Sequence, residues 1–274
     1  MDIDPHDELH DHDRGLAFDL STLLSRRRAL TVLAAAGLAT LAGCGSDSGG
    51  SSAASTATTA TSAGAAACEE IPQETAGPYP GDGSNGPNVL TQSGIVRSDI
   101  RSSFGSAGGT AEGIPLTIAL TIVDQAEGCV PRQGAAVYVW HCDRDGQYSL
   151  YGQGVTDQNY LRGVQAAGSD GRVTFKSIFP AAYSGRWPHI HFEVYPSLDA
   201  ATSASSLIRT SQLALPEDAC KLVYATDGYS QSMANLAQTS LRTDMVFSDG
   251  YDQQLAKVTG DVTGGFTAGL TVPV

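Results

Sequence analysis

From Leu116 to Ile122 every second residue is a large aliphatic, with Thr117, Ala119 and Thr121 between them. A period of two gathers Leu116, Ile118, Leu120 and Ile122 on one face of an extended strand, whereas a helix would scatter them around its axis. Ala135 to His141 repeats the pattern, with Val137 and Val139 on one face and Tyr138 and Trp140 on the other. Gly171 to Ile178 is a third such run, entered through the turn Ser169-Asp170-Gly171, and Ile190 to Val194 is a fourth. Pro216 to Gln238 reads as loops with a short helix, and Val258 to Val272 as strand and turn. Short strands punctuated by turn residues, without a long amphipathic helix, predict an all-β fold: a β-sandwich with irregular loops and little helix. No internal repeat is visible.

The 274 residues allow one domain of about 200 residues with extensions. A formal charge of −13 excludes the basic footprint that nucleic acid requires. Residues 1–43 read as a twin-arginine lipoprotein signal peptide, with Arg26, Arg27 and Arg28 ahead of the weakly apolar run Ala29 to Ala42. That run is shorter than the ~20 residues a membrane-spanning helix needs. Leu41-Ala42-Gly43-Cys44 has the form of a lipobox, with Cys44 the lipidated residue. Residues 44–67 are Ser, Ala, Thr and Gly with scarcely a large apolar side chain, a flexible tether. The folded domain is then 68–274. The expected location is the extracytoplasmic face of the cell membrane, reached by twin-arginine export and held only through the lipid anchor. Cys68, Cys129, Cys142 and Cys220 lie in the domain, and an oxidising compartment suggests two disulfides. Three pairings are open; a local Cys129–Cys142 clip, leaving Cys68–Cys220, is one reading.

Chemistry concentrates in Pro180 to Phe192. His189 and His191 are two apart on a strand, so both imidazoles project from one face while Ile190, Phe192 and Val194 anchor the other. Tyr183 and Arg186 stand on the Pro/Gly-rich turn leading in. Tyr148 follows the strand ending at His141, and Tyr79 sits in the Pro-punctuated segment Glu74 to Pro80. Two phenolates and two imidazoles form a mixed hard and borderline donor set that suits trivalent iron better than Zn(II) or Cu(I). Two other readings remain: a tyrosine-rich sandwich rim, and a Zn or Cu carrier built on the two histidines.

Gly146-x-Tyr148, Pro180-x-x-Tyr183 and Arg186-x-x-His189-Ile-His191-Phe192 together resemble the signature of the intradiol ring-cleavage dioxygenases. The similarity runs from about Glu74 to the C-terminus. It is nearest to secreted single-domain members, through Glu74-Thr-x-Gly-Pro-Tyr79, Val139-Trp-His-Cys-Asp143 and Leu161-Arg-Gly-Val-Gln165. The resemblance implies a non-haem Fe(3+) cofactor held by Tyr148, Tyr183, His189 and His191. It implies a catecholic small-molecule substrate and O2, and ring opening between the two hydroxylated carbons to a cis,cis-muconate-type diacid. It implies that Tyr183 is the tyrosinate a catechol displaces, that Arg186 and Gln212 act on the substrate, and that Tyr79 lines its pocket. The alternative is a non-catalytic sandwich that binds phenolics or a surface partner. The helical dimerisation region of the catechol enzymes has no counterpart here, so their dimer mode and lipid pocket are not carried over and the oligomeric state stays unknown.

Overall fold

The structure is a computed structural model that describes residues 68–274; the expected signal peptide, Cys44 and the tether lie outside the described residues. The first strand, β1 (Pro115–Asp124), carries the aliphatic alternation, and Leu116, Ile118, Leu120 and Ile122 are all buried. Along one edge it pairs antiparallel with β5 (Arg172–Ile178) and briefly with β2 (Val130–Pro131). Along the other it pairs parallel with β9 (Gly265–Pro273), and β8 (Lys257–Asp261) closes that side as a hairpin. The second sheet is antiparallel, in the order β4 (Arg162–Ala166), β3 (Ala136–Trp140), β6 (His189–Tyr195), β7 (Arg209–Ala214).

The two sheets pack through alternate residues. Val137, Val139, Ile190, Phe192 and Val194 of the second meet Ile118, Leu120, Val173 and Phe175 of the first in one apolar cluster. The opposite face of the second sheet carries Tyr138, Trp140, His189, His191, Glu193 and Tyr195, and these are buried too. Irregular segments, not a third sheet, cover that face. Two short helices stand among the described residues, α1 (Glu217–Tyr224) and α2 (Ser230–Leu236), where the sequence pattern suggested one. Strands β4 and β7 were not evident from alternation. Both are short, and β7 is polar at Thr210, Ser211 and Gln212, which are nevertheless buried.

The disulfide is Cys68–Cys129, with Cα atoms 6.0 Å apart; Cys142 and Cys220 are free and buried. A Cys129–Cys142 clip is therefore wrong, and so is Cys68–Cys220. Cys129 precedes β2, whereas Cys142 lies beyond the far end of β3. Five extended residues alone separate two points by roughly 17 Å, far outside the Cα spacing of about 7 Å that a disulfide tolerates. Cys220 lies on α1 inside the apolar cluster. The bridge closes a separation of 61 residues and ties the start of the domain to the β1–β2 turn, a constraint worth about 2–4 kcal/mol.

Candidate metal and substrate site

The register of the second sheet builds the site. Trp140 stands opposite His191 across β3 and β6, and Gln212 stands opposite His191 across β6 and β7. The Trp140 ring stacks flat on the His191 imidazole, with centroids 4.9 Å apart and an angle of 5°. Trp140, Gln212 and His191 itself are all buried, so packing sets the aim of the ring. His189 is oriented differently. Its Nδ1 lies 2.5 Å from the Trp187 carbonyl. A carbonyl only accepts, so Nδ1 carries the proton and Nε2 presents a lone pair.

Tyr148 arrives on the loop after β3. Asp143 Oδ1 accepts from the backbone N–H groups of Asp145 and Gln147, and Gly146 between them has φ +83°. A side chain at Gly146 would also meet Tyr183 Cβ at 3.3 Å. The Gly146-x-Tyr148 spacing thus has two causes: a left-handed backbone and close approach to the second tyrosine. Tyr183 comes from the segment between β5 and β6, is half-buried, and meets the Tyr148 ring edge-on with centroids 5.9 Å apart.

Four side-chain atoms converge. Tyr148 Oη is 3.4 Å from Tyr183 Oη and 3.5 Å from His189 Nε2. Tyr183 Oη is 3.3 Å from His189 Nε2, which is 3.0 Å from His191 Nε2. Among the described residues there is no group of three or more His, Cys, Asp or Glu suited to a metal; the tyrosine oxygens complete this set. Spacings of this size are what bonds of about 2.0–2.2 Å to one shared cation give at angles of roughly 90–115°. The donor set therefore fits a metal ion.

The electrostatics fit as well. Burial, and then the charge of Arg186, pull the His189 pKa down to about 3. Burial, and then His189, hold His191 well below its usual range. Burial, and then Tyr183, push the Tyr148 phenol well above its ordinary value. Both imidazoles are thus neutral and available as ligands, while the phenol needs a cation of high charge to give up its proton.

Arg186 lies beside this cluster, buried, and donates through Nη2 to Gln212 Oε1 at 2.7 Å. Gln212 Nε2 donates to the Thr75 carbonyl at 3.0 Å. The segment Glu74 to Pro80 crosses the face here. Gly77, at φ +69°, brings its backbone so close that a Cβ would lie 3.4 Å from His191 Cε1, and the Tyr79 ring centroid is 5.1 Å from that of Tyr148. The structure thus gathers Tyr79, Tyr148, Tyr183, Arg186, His189, His191 and Gln212 on one face.

Residues 85–218 match the family model described as Dioxygenase. The fold is similar to that of an intradiol ring-cleavage dioxygenase from Tetranychus urticae, with a TM-score of 0.60 and 23% identity over 75% of this chain and 94% of that one. A chlorocatechol 1,2-dioxygenase from Rhodococcus opacus is 42% identical over 53 residues, which span 19% of this chain and only 21% of that relative. Residues 85–218 thus resemble the dioxygenase family in sequence, and the fold is that of an intradiol ring-cleavage dioxygenase.

Several residues around this site carry no mark in the sequence that points to it. Trp140 shares a face with Tyr138, so alternation was a signal, but nothing local told that β3 borders β6. Arg162, 1% exposed, donates to the carbonyls of Tyr79, Pro80 and Ser149 and to the Ser149 and Tyr138 hydroxyls, pinning the Tyr79 segment to the Tyr148 loop. Asp244, from the loop after α2, accepts from Arg186 Nε at 3.0 Å. No pattern around Asp244 marks it.

Proposed function

We propose that this protein is an Fe(III)-dependent intradiol dioxygenase that opens a catecholic ring between its two hydroxylated carbons. One catechol and one O2 give one cis,cis-muconate-type diacid: the carbon–carbon bond breaks, both oxygen atoms enter the product, and the ring carbons supply the electrons that reduce O2. The observation that carries this reading is the convergence of Tyr148 Oη, Tyr183 Oη, His189 Nε2 and His191 Nε2 through contacts of 3.0–3.5 Å.

In this reading those four residues would hold the ferric ion, which when bound would supply the Lewis acidity that makes a catechol reactive toward O2. Tyr183, half-buried where Tyr148 is buried, would be the residue able to move aside for substrate and to take up a catechol proton at its phenol oxygen. Tyr148, His189 and His191 stay in place, held by burial and by the Trp140 stack. Arg186 offers a preorganised positive charge to the anion that develops on the ring, from a buried position beside the four donors. Gln212 holds Arg186 from one side, and Tyr79 forms part of the ring's pocket. The test is direct: purified protein should carry about one iron per chain and a purple-red tyrosinate-to-metal colour, and 18O2 should label both new oxygens of the diacid. Colourless, iron-free protein after growth in iron-replete medium would end this reading.

We further propose that the domain works outside the cytoplasm, exported by the twin-arginine route and anchored through lipidated Cys44, with residues 44–67 as tether. The motif Leu41-Ala42-Gly43-Cys44 followed at once by a polar stretch supports this, as does a disulfide at Cys68, where the tether meets the fold. Mass spectrometry of the membrane fraction decides it: an unlipidated N-terminus would remove the anchor.

A further inference from the structure

We propose that Asp244 is a positioning residue for the chemistry: it aims Arg186 across the site, and Gln212 carries that restraint on to the segment covering the ligands. The proposal rests on the functional reading above, because Arg186 matters to catalysis only if a catechol binds beside it.

Asp244 is fully buried, and both of its oxygens are engaged. Oδ2 accepts from Arg186 Nε at 3.0 Å and from the Trp187 backbone N–H at 2.7 Å. Oδ1 accepts from the backbone N–H groups of Val246 at 2.8 Å and Phe247 at 3.3 Å, with Arg186 Nη2 at 3.5 Å. A carboxylate held by its own loop and by the residue after Arg186 is a fixed post. An arginine side chain is otherwise rich in rotamers, and charge-assisted bonds to a fixed acceptor remove that freedom. Removing Asp244 would also take a buried carboxylate from the buried guanidinium, a change that costs far more than loss of a surface ion pair.

The restraint then travels outward from Arg186. Its Nη2 reaches Gln212 Oε1 at 2.7 Å, and Gln212 Nε2 reaches the Thr75 carbonyl at 3.0 Å. Thr75 Oγ1 accepts from Gly77 N–H at 3.0 Å, and Gly77 is the backbone that lies against His191. Asp244, Arg186, Gln212 and Thr75 therefore form one bonded line from the loop after α2 to the roof of the site. The ion pair is electrically compensated, so the Arg186 charge serves the reacting ring through where it is aimed more than through long-range attraction of the substrate. This predicts a specific kinetic signature. Loss of Asp244 should lower kcat, where orientation at the reacting ring matters, more than it weakens capture of the catechol.

Asp244→Asn keeps the size of the side chain but places an amide where two donors need an acceptor. It is expected to retain iron and colour, to lower kcat by about 10–100-fold, the scale of a small misplacement of a catalytic group, and to change the dissociation constant of anaerobically bound 4-nitrocatechol less than threefold. Arg186→Ala combined with Asp244→Asn should be no slower than Arg186→Ala alone, since both act through one group. Fully additive losses would overturn the proposal, and so would loss of iron in Asp244→Asn, which would place the effect on Trp187 and His189 instead. Should Asp244→Asn fold poorly, Asp244→Glu, which keeps the charge, must retain more kcat than Asp244→Ala; equal losses would also overturn it. One measurement needs neither iron nor turnover. In 15N-labelled wild-type protein the Arg186 Nε–H signal, identified by its absence from Arg186→Lys, should be protected from solvent exchange. An Arg186 signal exchanging as fast as those of exposed arginines would refute the proposal even if the assigned activity were correct. Absence of iron and of ring cleavage in the wild type, with that signal protected, would instead refute only the activity.

Discussion

Strand β6 has two faces that are buried for different reasons. Ile190, Phe192 and Val194 enter the apolar cluster between the sheets, where any well-packed hydrocarbon of the right volume would serve. His189, His191 and Glu193, on alternate residues of the same strand, are buried just as fully, yet under loops and among polar groups. There each side chain needs its own partner: Trp187 O for His189, Trp140 for His191, the Tyr195 hydroxyl for Glu193. Burial alone therefore does not distinguish core from site. What distinguishes them is whether the neighbours are interchangeable.

That contrast can be broken from either side. The largest effect is expected from His191→Ala or Tyr148→Phe, each of which removes a donor from the convergent set. Iron and colour should vanish, and with them ring cleavage, while the thermal midpoint of the metal-free protein stays near that of metal-free wild type. Stoichiometric iron in either purified variant would take that residue out of the ligand set.

Phe192→Ala makes the opposite change one residue from His191. A cavity at a fully buried phenylalanine costs about 3–5 kcal/mol, measurable by urea unfolding. The fraction still folded should keep its iron, and its turnover per iron should stay within a few-fold of wild type. If Phe192→Ala strips iron as thoroughly as His191→Ala, the two faces are mechanically one, and the distinction drawn here fails.

Arg186→Ala falls between. Arg186 is not one of the four donors, so iron should remain while kcat/KM drops by about 10²-fold, the scale for losing one preorganised charge. Iron analysis alongside steady-state kinetics separates this outcome from loss of a ligand.

The smallest effect concerns the cover over the polar face. Glu74 is buried beside Gln254, and burial, followed by the charge of Asp249, raises its pKa to about 8 from an ordinary 4.5. Between those values the native state holds a proton that the unfolded chain has released. The stabilising contribution is thus complete below pH 4.5 and is lost as pH climbs to about 8. Glu74→Gln should flatten this decline by an amount on the order of 1–3 kcal/mol, seen as a smaller drop in thermal midpoint between pH 5 and 8. An unchanged slope would mean that Glu74 is solvated in solution and that the cover is looser than the structure has it.

Much of this molecule follows from alternation and spacing. A period of two in Leu116 to Ile122 determines a strand and its buried face, because successive side chains of an extended chain must point in opposite directions. The same geometry puts His189 and His191 side by side whatever surrounds them. The donor types Tyr148, Tyr183, His189 and His191, in their order, were likewise visible before any fold. Long-range choices were not. Asp244 meets Arg186 across 58 residues, and Cys68 meets Cys129 across 61. Each pairing depends on how loops return over the sheet, which local preference does not specify. Cys129 and Cys142 are near in sequence, but the extended strand β3 between them carries them apart. The parallel pairing of β1 with β9 and the roofing of β6 by Glu74 to Pro80 are of the same kind. A residue's neighbours along the chain decide its backbone conformation and which way it faces; only the assembled tertiary structure decides what lies opposite. At a polar buried face, where every group requires a particular partner, that second decision is the one that makes a site.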